Sequence, residues 1–205
     1  MTVTQIVELS KSRSKVYIDQ EFAFVLYKGE LRLYHIREGA ELSQEDYETI
    51  LHEVLPKRAR LRSMNLLKRR EYTSEQLRRK LREGFYPEEV IEDAVEYVAS
   101  FHYIDDFRYA VDYITSQESS RSHRRIEIDL QAKGISREIL QKAWLEWEEL
   151  GGSQDEAAMI RSLLEKKHYD PENADRREQQ RIYGFLMRRG YSGEQIRRAM
   201  RMTDA

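Results

Sequence analysis

Two hydrophobic rhythms divide the chain. Between residues 2 and 35, Val16-Tyr-Ile18, Phe22-Ala-Phe24-Val-Leu26 and Leu31-Arg-Leu33-Tyr34 alternate apolar and polar positions with period two, the mark of half-buried strands. Asp19-Gln20 and Lys28-Gly29 stand where tight turns would join them. Ser43 then offers an oxygen to cap a short helix reaching about Val54, and Pro56 suits the first turn of the next. From Pro56 the spacing changes to three and four. Leu61, Met64 and Leu67 form one stripe, Leu77 and Leu81 follow the Thr73-Ser74 cap, and Val90, Ile91, Ala94, Val95 and Val98 follow Pro87. Behind Asp105-Asp106 come Phe107, Ala110, Val111 and Ile114, then Ile126 and Leu130, then Ile139, Leu140, Ala143, Trp144 and Trp147. The remainder predicts helices over 157–167, 176–189 and 192–202, with a loop at 171–174. The expected fold is mainly all-α: nine helices in three tandem three-helix repeats forming an elongated array, with a small N-terminal antiparallel β-unit.

The helical part contains one phrase written three times. Leu81-Arg-Glu-Gly84-Phe85 before Pro87-Glu-Glu-Val returns as Leu130-Gln-Ala-Lys-Gly134-Ile135 before Ser136-Arg-Glu-Ile, and as Leu186-Met-Arg-Arg-Gly190-Tyr191 before Ser192-Gly-Glu-Gln. Each reads as a helix closing on glycine, an apolar residue, then a newly capped helix. The glycines lie 50 and 56 residues apart, which makes the unit a small bundle in tandem. The serine-rich stretch 116–122 and Gly151-Gly152 mark breaks. The domains expected are 1–55 for the β-unit and short helix, then repeats over 56–104, 105–152 and 153–205.

Composition supports a surface-rich chain of 205 residues: 40% apolar, 35% charged, with a mean hydropathy of -0.79. Net charge is only -2, yet the charges are sorted. Residues 57–82 hold eleven Lys/Arg against two Glu, whereas 86–106 hold seven Asp/Glu and no Lys/Arg, which predicts opposed faces. Without cysteine, disulfide and thiolate chemistry are excluded, consistent with a reducing cytosol. Met1–Leu9 lacks an apolar h-region and no apolar run reaches 18 residues, so neither a signal peptide nor a membrane span is expected.

No catalytic constellation is present. No P-loop occurs, and His35, His52, His102, His123 and His168 are scattered singly, without the i,i+4 pairing a zinc site uses. Asp105-Asp106 reads as a helix N-cap before it reads as a cation site. No cofactor or metal is expected. The cations carry more physical consequence. Helical spacing places Arg78, Arg79 and Arg82 opposite Leu77 and Leu81, facing away from the core. The equivalent helix of each later repeat reads as net positive, with Arg121, Arg124, Arg125 and Lys133 in the second and Arg176, Arg177, Arg181, Arg188 and Arg189 in the third. Guanidinium groups favour planar carboxylate or phosphate acceptors, but a charge run on a helix is also how a solvated face looks. Tyr72, Tyr86, Tyr103 and Tyr191 suit stacking on unpaired bases, or packing between helices, which their junction positions favour; Trp144 and Trp147 read as core.

Three passages together resemble the regulatory protein RecX family. They are Leu66-Leu-Lys-Arg-Arg-Glu-Tyr-Thr-Ser-Glu-Gln-Leu-Arg-Arg-Lys-Leu81, Ile104-Asp-Asp-Phe-Arg-Tyr-Ala110, and Arg125-Ile-Glu-Ile-Asp-Leu-Gln-Ala-Lys-Gly-Ile-Ser136. The match is clear over about 60–150 and looser in the third repeat. The segment Asp19-Gln-Glu-Phe-Ala-Phe24 looks like the N-terminal extension of some members. The resemblance implies a non-enzymatic, cytoplasmic bacterial modulator that lies in the groove of the RecA–single-stranded DNA filament. There it would inhibit ATP hydrolysis, strand exchange and co-protease activity, within the regulation of homologous recombination, DNA repair and the SOS response. It places contacts to RecA or DNA at Arg69, Arg70, Arg78, Arg79, Lys80 and Arg82 in the first repeat. Arg124, Arg125 and Lys133 would serve the second, and Arg188, Arg189, Arg197 and Arg198 the third.

The chain departs from the family pattern twice. Leu81 to Gly84 is one residue shorter than Leu130 to Gly134, so the first C-cap has another register, and Ser119-Ser-Arg-Ser-His123 stands where many members carry Lys-Gly. The expected partners are the RecA filament and single- or double-stranded DNA, with no membrane and a monomeric chain. A DNA-binding helical-repeat module acting without RecA is the alternative. A tetratricopeptide-like scaffold fits less well, since its units are shorter and two-helical.

Overall fold

The computed structural model describes residues 1–201. Its chain divides into two compact units, Met1–Asp105 and a second beginning at Asp106.

The first unit opens with β1 (Val3–Ser10), β2 (Arg13–Ile18) and β3 (Glu21–Tyr27), antiparallel in that order. Val16 sits opposite Ile6 on one side and Phe24 on the other, and alternation along β2 buries Ser14, Val16 and Ile18. Asp19 (φ 49°) and Gln20 (φ 74°) both adopt the left-handed region, as a two-residue type I′ turn requires.

The period-two reading of residues 31–34 does not hold. Lys28–Leu33 is a helix, α1, because the Glu30 carboxylate closes back on the Tyr27 amide (2.7 Å) and caps the turn. Leu31 packs on the core while Leu33 is 68% exposed, so the two leucines share no face of a strand. The earlier pairing partner of β2 is β1.

Ser43 caps α2 (Gln44–Thr49) by accepting from the Asp46 amide at 3.0 Å. The backbone then passes through a π-turn (Ile50–Val54) directly into α3 (Leu55–Leu67), with Pro56 in its first turn. Pro56 has no N–H for an i−4 partner, and the wider turn immediately before it absorbs that missing bond. The two helices expected on either side of Pro56 are therefore joined without a loop.

Helices α4 (Ser74–Arg82) and α5 (Glu88–Ser100) complete the first unit. The sheet and α3–α5 share one apolar core, in which Val16, Phe24 and Leu26 meet Leu55, Leu77, Leu81 and Ile91. The second unit contains α6 (Asp106–Gln117), α7 (His123–Ala132), α8 (Arg137–Glu149), α9 (Glu156–Lys166), α10 (Arg176–Arg188) and α11 (Gly193–Met200). It has two cores, one around Ile126, Leu130, Trp144 and Trp147, the other around Ile160, Ile182, Leu186, Tyr191 and Ile196. Thr73, Ser122, Ser136 and Ser192 cap their helices through side-chain oxygens. The expected extension of the last helix to Met202 lies outside the described residues. Among those residues, no helix is long and apolar enough to cross a membrane.

The thrice-written phrase folds as one helix-ending motif, with a shift in the first copy. The amides of Tyr86, Ile135 and Tyr191 bond back to the carbonyls of Leu81, Leu130 and Leu186, the 6→1 bond of a Schellman cap. The left-handed residue is Gly134 (φ 90°) and Gly190 (φ 92°) in the later copies, but Phe85 (φ 62°) in the first. Tyr86, not Phe85, is thus the counterpart of Ile135 and Tyr191. Phe85 is held by the sheet, with Phe22 edge-on at 6.3 Å and the Lys15 ammonium 4.1 Å from its ring centre. The same ending explains three histidines: His35, His102 and His168 occupy left-handed positions after α1, α5 and α9, a role for which histidine is enriched.

Candidate functional site

The cations predicted to face outward from α4 are largely engaged with carboxylates. Arg78 forms a two-pronged pair with Glu92 of α5 (Nε–Oε1 2.8 Å, Nη2–Oε2 2.9 Å). Arg82 forks onto Glu88 and also reaches Glu75, while Lys80 pairs with Glu83 at 2.7 Å. Arg78 and Arg82 therefore do not point free of the bundle as helical spacing alone suggested; the acidic stretch 86–106 supplies their partners from the next helix. These hydrogen bonds hold the Glu88 and Glu92 carboxyls below the usual range and raise Arg82 above its own. Arg79, exposed on the same helix, has no ion partner among the described residues. Arg69 and Arg70 lie in the turn after α3, both exposed, with the Arg70 guanidinium 4.1 Å from the Tyr72 ring centre.

In the second unit, Arg125 pairs with Asp129 one turn along α7 (3.0 Å), and Arg121 reaches the same carboxylate and the Tyr113 hydroxyl. Arg121 precedes the Ser122 cap and so lies outside the helix. Tyr113 is raised in pKa, first by burial and then by the Asp129 charge. Lys133, at the C-cap of α7, sits over Tyr113 and Tyr109 (5.3 and 5.8 Å). Arg124 is exposed, with no ion partner among the described residues. Arg188 ends α10, Arg189 is its C-cap and lies over Phe185 (4.8 Å), and Arg197 and Arg198 lie on α11. Arg188 and Arg198 are exposed and likewise without ion partners among the described residues.

Among the tyrosines weighed for stacking, Tyr72 and Tyr191 are buried and belong to helix packing, whereas Tyr103 is 51% exposed. Tyr103 stacks on Phe101 (6.1 Å), which in turn meets Tyr97 (5.1 Å). Trp144 and Trp147 are core, as expected, with the Trp147 indole donating to Glu118 at 2.6 Å. Among the described residues, no cluster of three or more His, Cys, Asp or Glu could hold a metal ion.

Profiles of the first and third three-helix domains of RecX match residues 59–97 and 154–200. Over 205 residues, covering 99% of this chain and all of the relative, the sequence is 30% identical to the regulatory protein RecX of Caldanaerobacter subterraneus subsp. tengcongensis. The chain belongs to the RecX family. The regulatory protein RecX of Trichlorobacter lovleyi is 34% identical over 141 residues, 67% of this chain and 90% of that one. A crystal structure of regulatory protein RecX superposes over 98% of this chain and 99% of its own with a TM-score of 0.60 at 22% identity. That of RecX from Lactobacillus salivarius covers 72% and 96% with a TM-score of 0.54 at 20% identity. These RecX structures share the mainly helical fold seen here.

Proposed function

We propose that this RecX-family chain is a non-enzymatic regulator that binds the RecA–single-stranded DNA filament and inhibits its ATP hydrolysis, strand exchange and co-protease activity. Full-length similarity to a protein named regulatory protein RecX carries this reading. The cations support it chemically. Arg69, Arg79, Arg124, Arg188 and Arg198 are exposed and have no carboxylate of their own among the described residues, so each can meet an acidic protein surface or a phosphate. Arg78, Lys80 and Arg82 hold exposed or half-exposed partners, whereas the Asp129 partner of Arg125 is only 13% exposed and keeps that arginine engaged. The three exposed pairs of α4 add little to stability, so exchanging one carboxylate there for another acceptor costs little.

Three tandem bundles, 56–104, 105–152 and 153–205, would each contribute a weak contact, and a periodic filament would turn several into useful avidity. The chain would act as a monomer in the cytoplasm, with no membrane partner. The test is DNA-dependent ATP hydrolysis by preformed RecA filaments, titrated with wild-type protein and with Arg79→Glu/Arg124→Glu. Inhibition by the wild type, and at least tenfold weaker inhibition by the double variant, is the expected result. Undiminished turnover at saturating wild-type protein would reject the reading.

A further inference from the structure

One face of α3 and the turn after it carry a set of residues of which the expected contacts included only Arg69. Arg58, Leu61, Arg62, Asn65, Leu66 and Arg69 follow at helical spacing and, with Tyr27 at the end of β3 and Tyr86 after α4, line a groove of about 470 Å³. Two larger hollows, both in the second unit, carry carboxylates in their walls, among them Glu165 and Asp170 in one and Glu148 and Glu156 in the other. This groove holds three arginines and no carboxylate in its lining.

Its walls are built rather than incidental. Arg58 is anchored by Nη1 to the Val25 carbonyl (3.1 Å) and to Glu30 (2.9 Å), and its guanidinium lies 4.5 Å from the Tyr27 ring centre and 5.8 Å from that of Tyr86. The Nε–H groups of Arg58 and Arg62 are buried and have no acceptor among the described residues. A buried donor without an acceptor is costly, so a turn of either guanidinium toward an anion in the groove would relieve that cost. Tyr27 remains 43% exposed and Leu61 64% exposed, so flat apolar surface stands beside the guanidinium groups.

Resting on the filament reading above, we infer that this groove seats one or two nucleotides of a single DNA strand. Arg62 and Arg69 take phosphates, and Tyr27 and Tyr86 take base faces. An unpaired strand presents both chemistries together, whereas a duplex stacks its base faces out of reach. An acidic peptide would use the cations and leave the tyrosines idle. The volume suits a ligand of this size, and the arrangement gives the N-terminal sheet a part in recognition through Tyr27.

Binding of a fluorescein-labelled oligothymidylate to the full chain, without RecA, tests this by fluorescence anisotropy across a salt series. Arg62→Gln and Arg69→Gln should each weaken binding roughly five- to tenfold and flatten the dependence of log affinity on log salt by about one. Tyr27→Ala should weaken it by at least about fivefold, and Tyr27→Phe should restore it, because stacking needs the ring and not the hydroxyl. Circular dichroism checks folding, and Arg69, exposed and outside α3, serves if Arg62→Gln unfolds the chain. Unchanged affinity of folded Arg69→Gln overturns the inference. So does equal loss of duplex binding in Tyr27→Ala. If Arg69→Gln abolishes RecA inhibition yet binds the oligonucleotide normally, the groove meets protein, and the inference fails while the filament reading survives. Failure of the wild type to inhibit RecA, with the oligonucleotide results as expected, separates the two the other way.

Discussion

The Ser122 hydroxyl, fully buried, donates to the carbonyl of Arg189 at 2.8 Å while accepting from the Arg125 amide at 3.2 Å. One side chain thus caps the start of α7 and closes the end of α10, sixty-seven residues away. Gly190 makes the approach feasible: a Cβ there would lie 2.5 Å from the Ser122 oxygen, and its φ of 92° disfavours any side chain.

Ser122→Ala should therefore cost about 2 kcal/mol, combining a lost cap with an unsatisfied carbonyl. Gly190→Ala should cost about 2–4 kcal/mol through backbone strain and the clash. Both break one contact, so the double variant should fall short of the sum. Urea melts of the three variants check this; strict additivity would show that the two residues do not act together.

How much of this was legible in the sequence depends on whether neighbours along the chain decide the outcome. The strands at 16–18 and 22–26, the Asp19-Gln20 turn and the caps at Ser43, Thr73, Ser136 and Ser192 rest on local chemistry, and were readable, whereas the cap at Ser122 was hidden in a stretch read only as a break. Residues 31–34 misled because two leucines spaced by two imitate a strand. The deciding group was Glu30, which caps α1 and also meets Arg58 from twenty-eight residues away. The shift of the first helix ending was announced by the short Leu81–Gly84 spacing, but not that Phe85 would take the left-handed position with Lys15 of the sheet against its ring. At the candidate site, helical spacing gave the faces of α4 but not their partners. Glu88 and Glu92 lie on another helix, and only packing brings them within bonding distance of Arg82 and Arg78. Arg58 and Arg62 escaped notice because the aromatic part of their groove comes from Tyr27 and Tyr86, remote in sequence, although the i, i+4, i+11 spacing of arginines from residue 58 was visible.

His168 should tolerate glycine and refuse valine. It ends α9 at φ 53° and is exposed, so its ring contributes little packing. His168→Gly should raise stability by about 0.5 kcal/mol as the left-handed strain is relieved, partly offset by a freer unfolded chain. His168→Val should lower it by about 1–2 kcal/mol, since β-branching crowds this region. Thermal melts of the two variants should move in opposite directions, and parallel shifts would contradict the assignment.

Acid should loosen the packing of α4 on α5. Glu88 and Glu92 have folded-state pKa values below their unfolded ones, chiefly through hydrogen bonds from Arg82 and Arg78. The folded state therefore binds fewer protons. Its extra stability is fully present above the ordinary glutamate value of about 4.3 and is lost as pH falls through the depressed values. Amide hydrogen exchange at Leu77 and Leu81 should accelerate, relative to intrinsic rates, on going from about pH 5 to pH 3. Glu88→Gln/Glu92→Gln should flatten that dependence; an unaltered slope would place the acid sensitivity elsewhere.

Arg78 and Arg79, adjacent in sequence, should separate stability from function. Arg78 is tied to Glu92 in a two-pronged pair and 27% exposed, whereas Arg79 is exposed without an ion partner among the described residues. Arg79→Ala should change stability by no more than about 0.5 kcal/mol, the range of surface substitutions, and so barely move the melting temperature, because nothing internal is lost. If the filament reading holds, it should still weaken RecA inhibition severalfold. Arg78→Ala should lower the melting temperature, since Glu92 loses its partner, and its effect on inhibition should be partly recovered in Arg78→Ala/Glu92→Ala, where the orphaned carboxylate is gone. Equal effects of Arg78→Ala and Arg79→Ala on both stability and inhibition would mean that the pairing with Glu92 has no bearing on how α4 meets its partner.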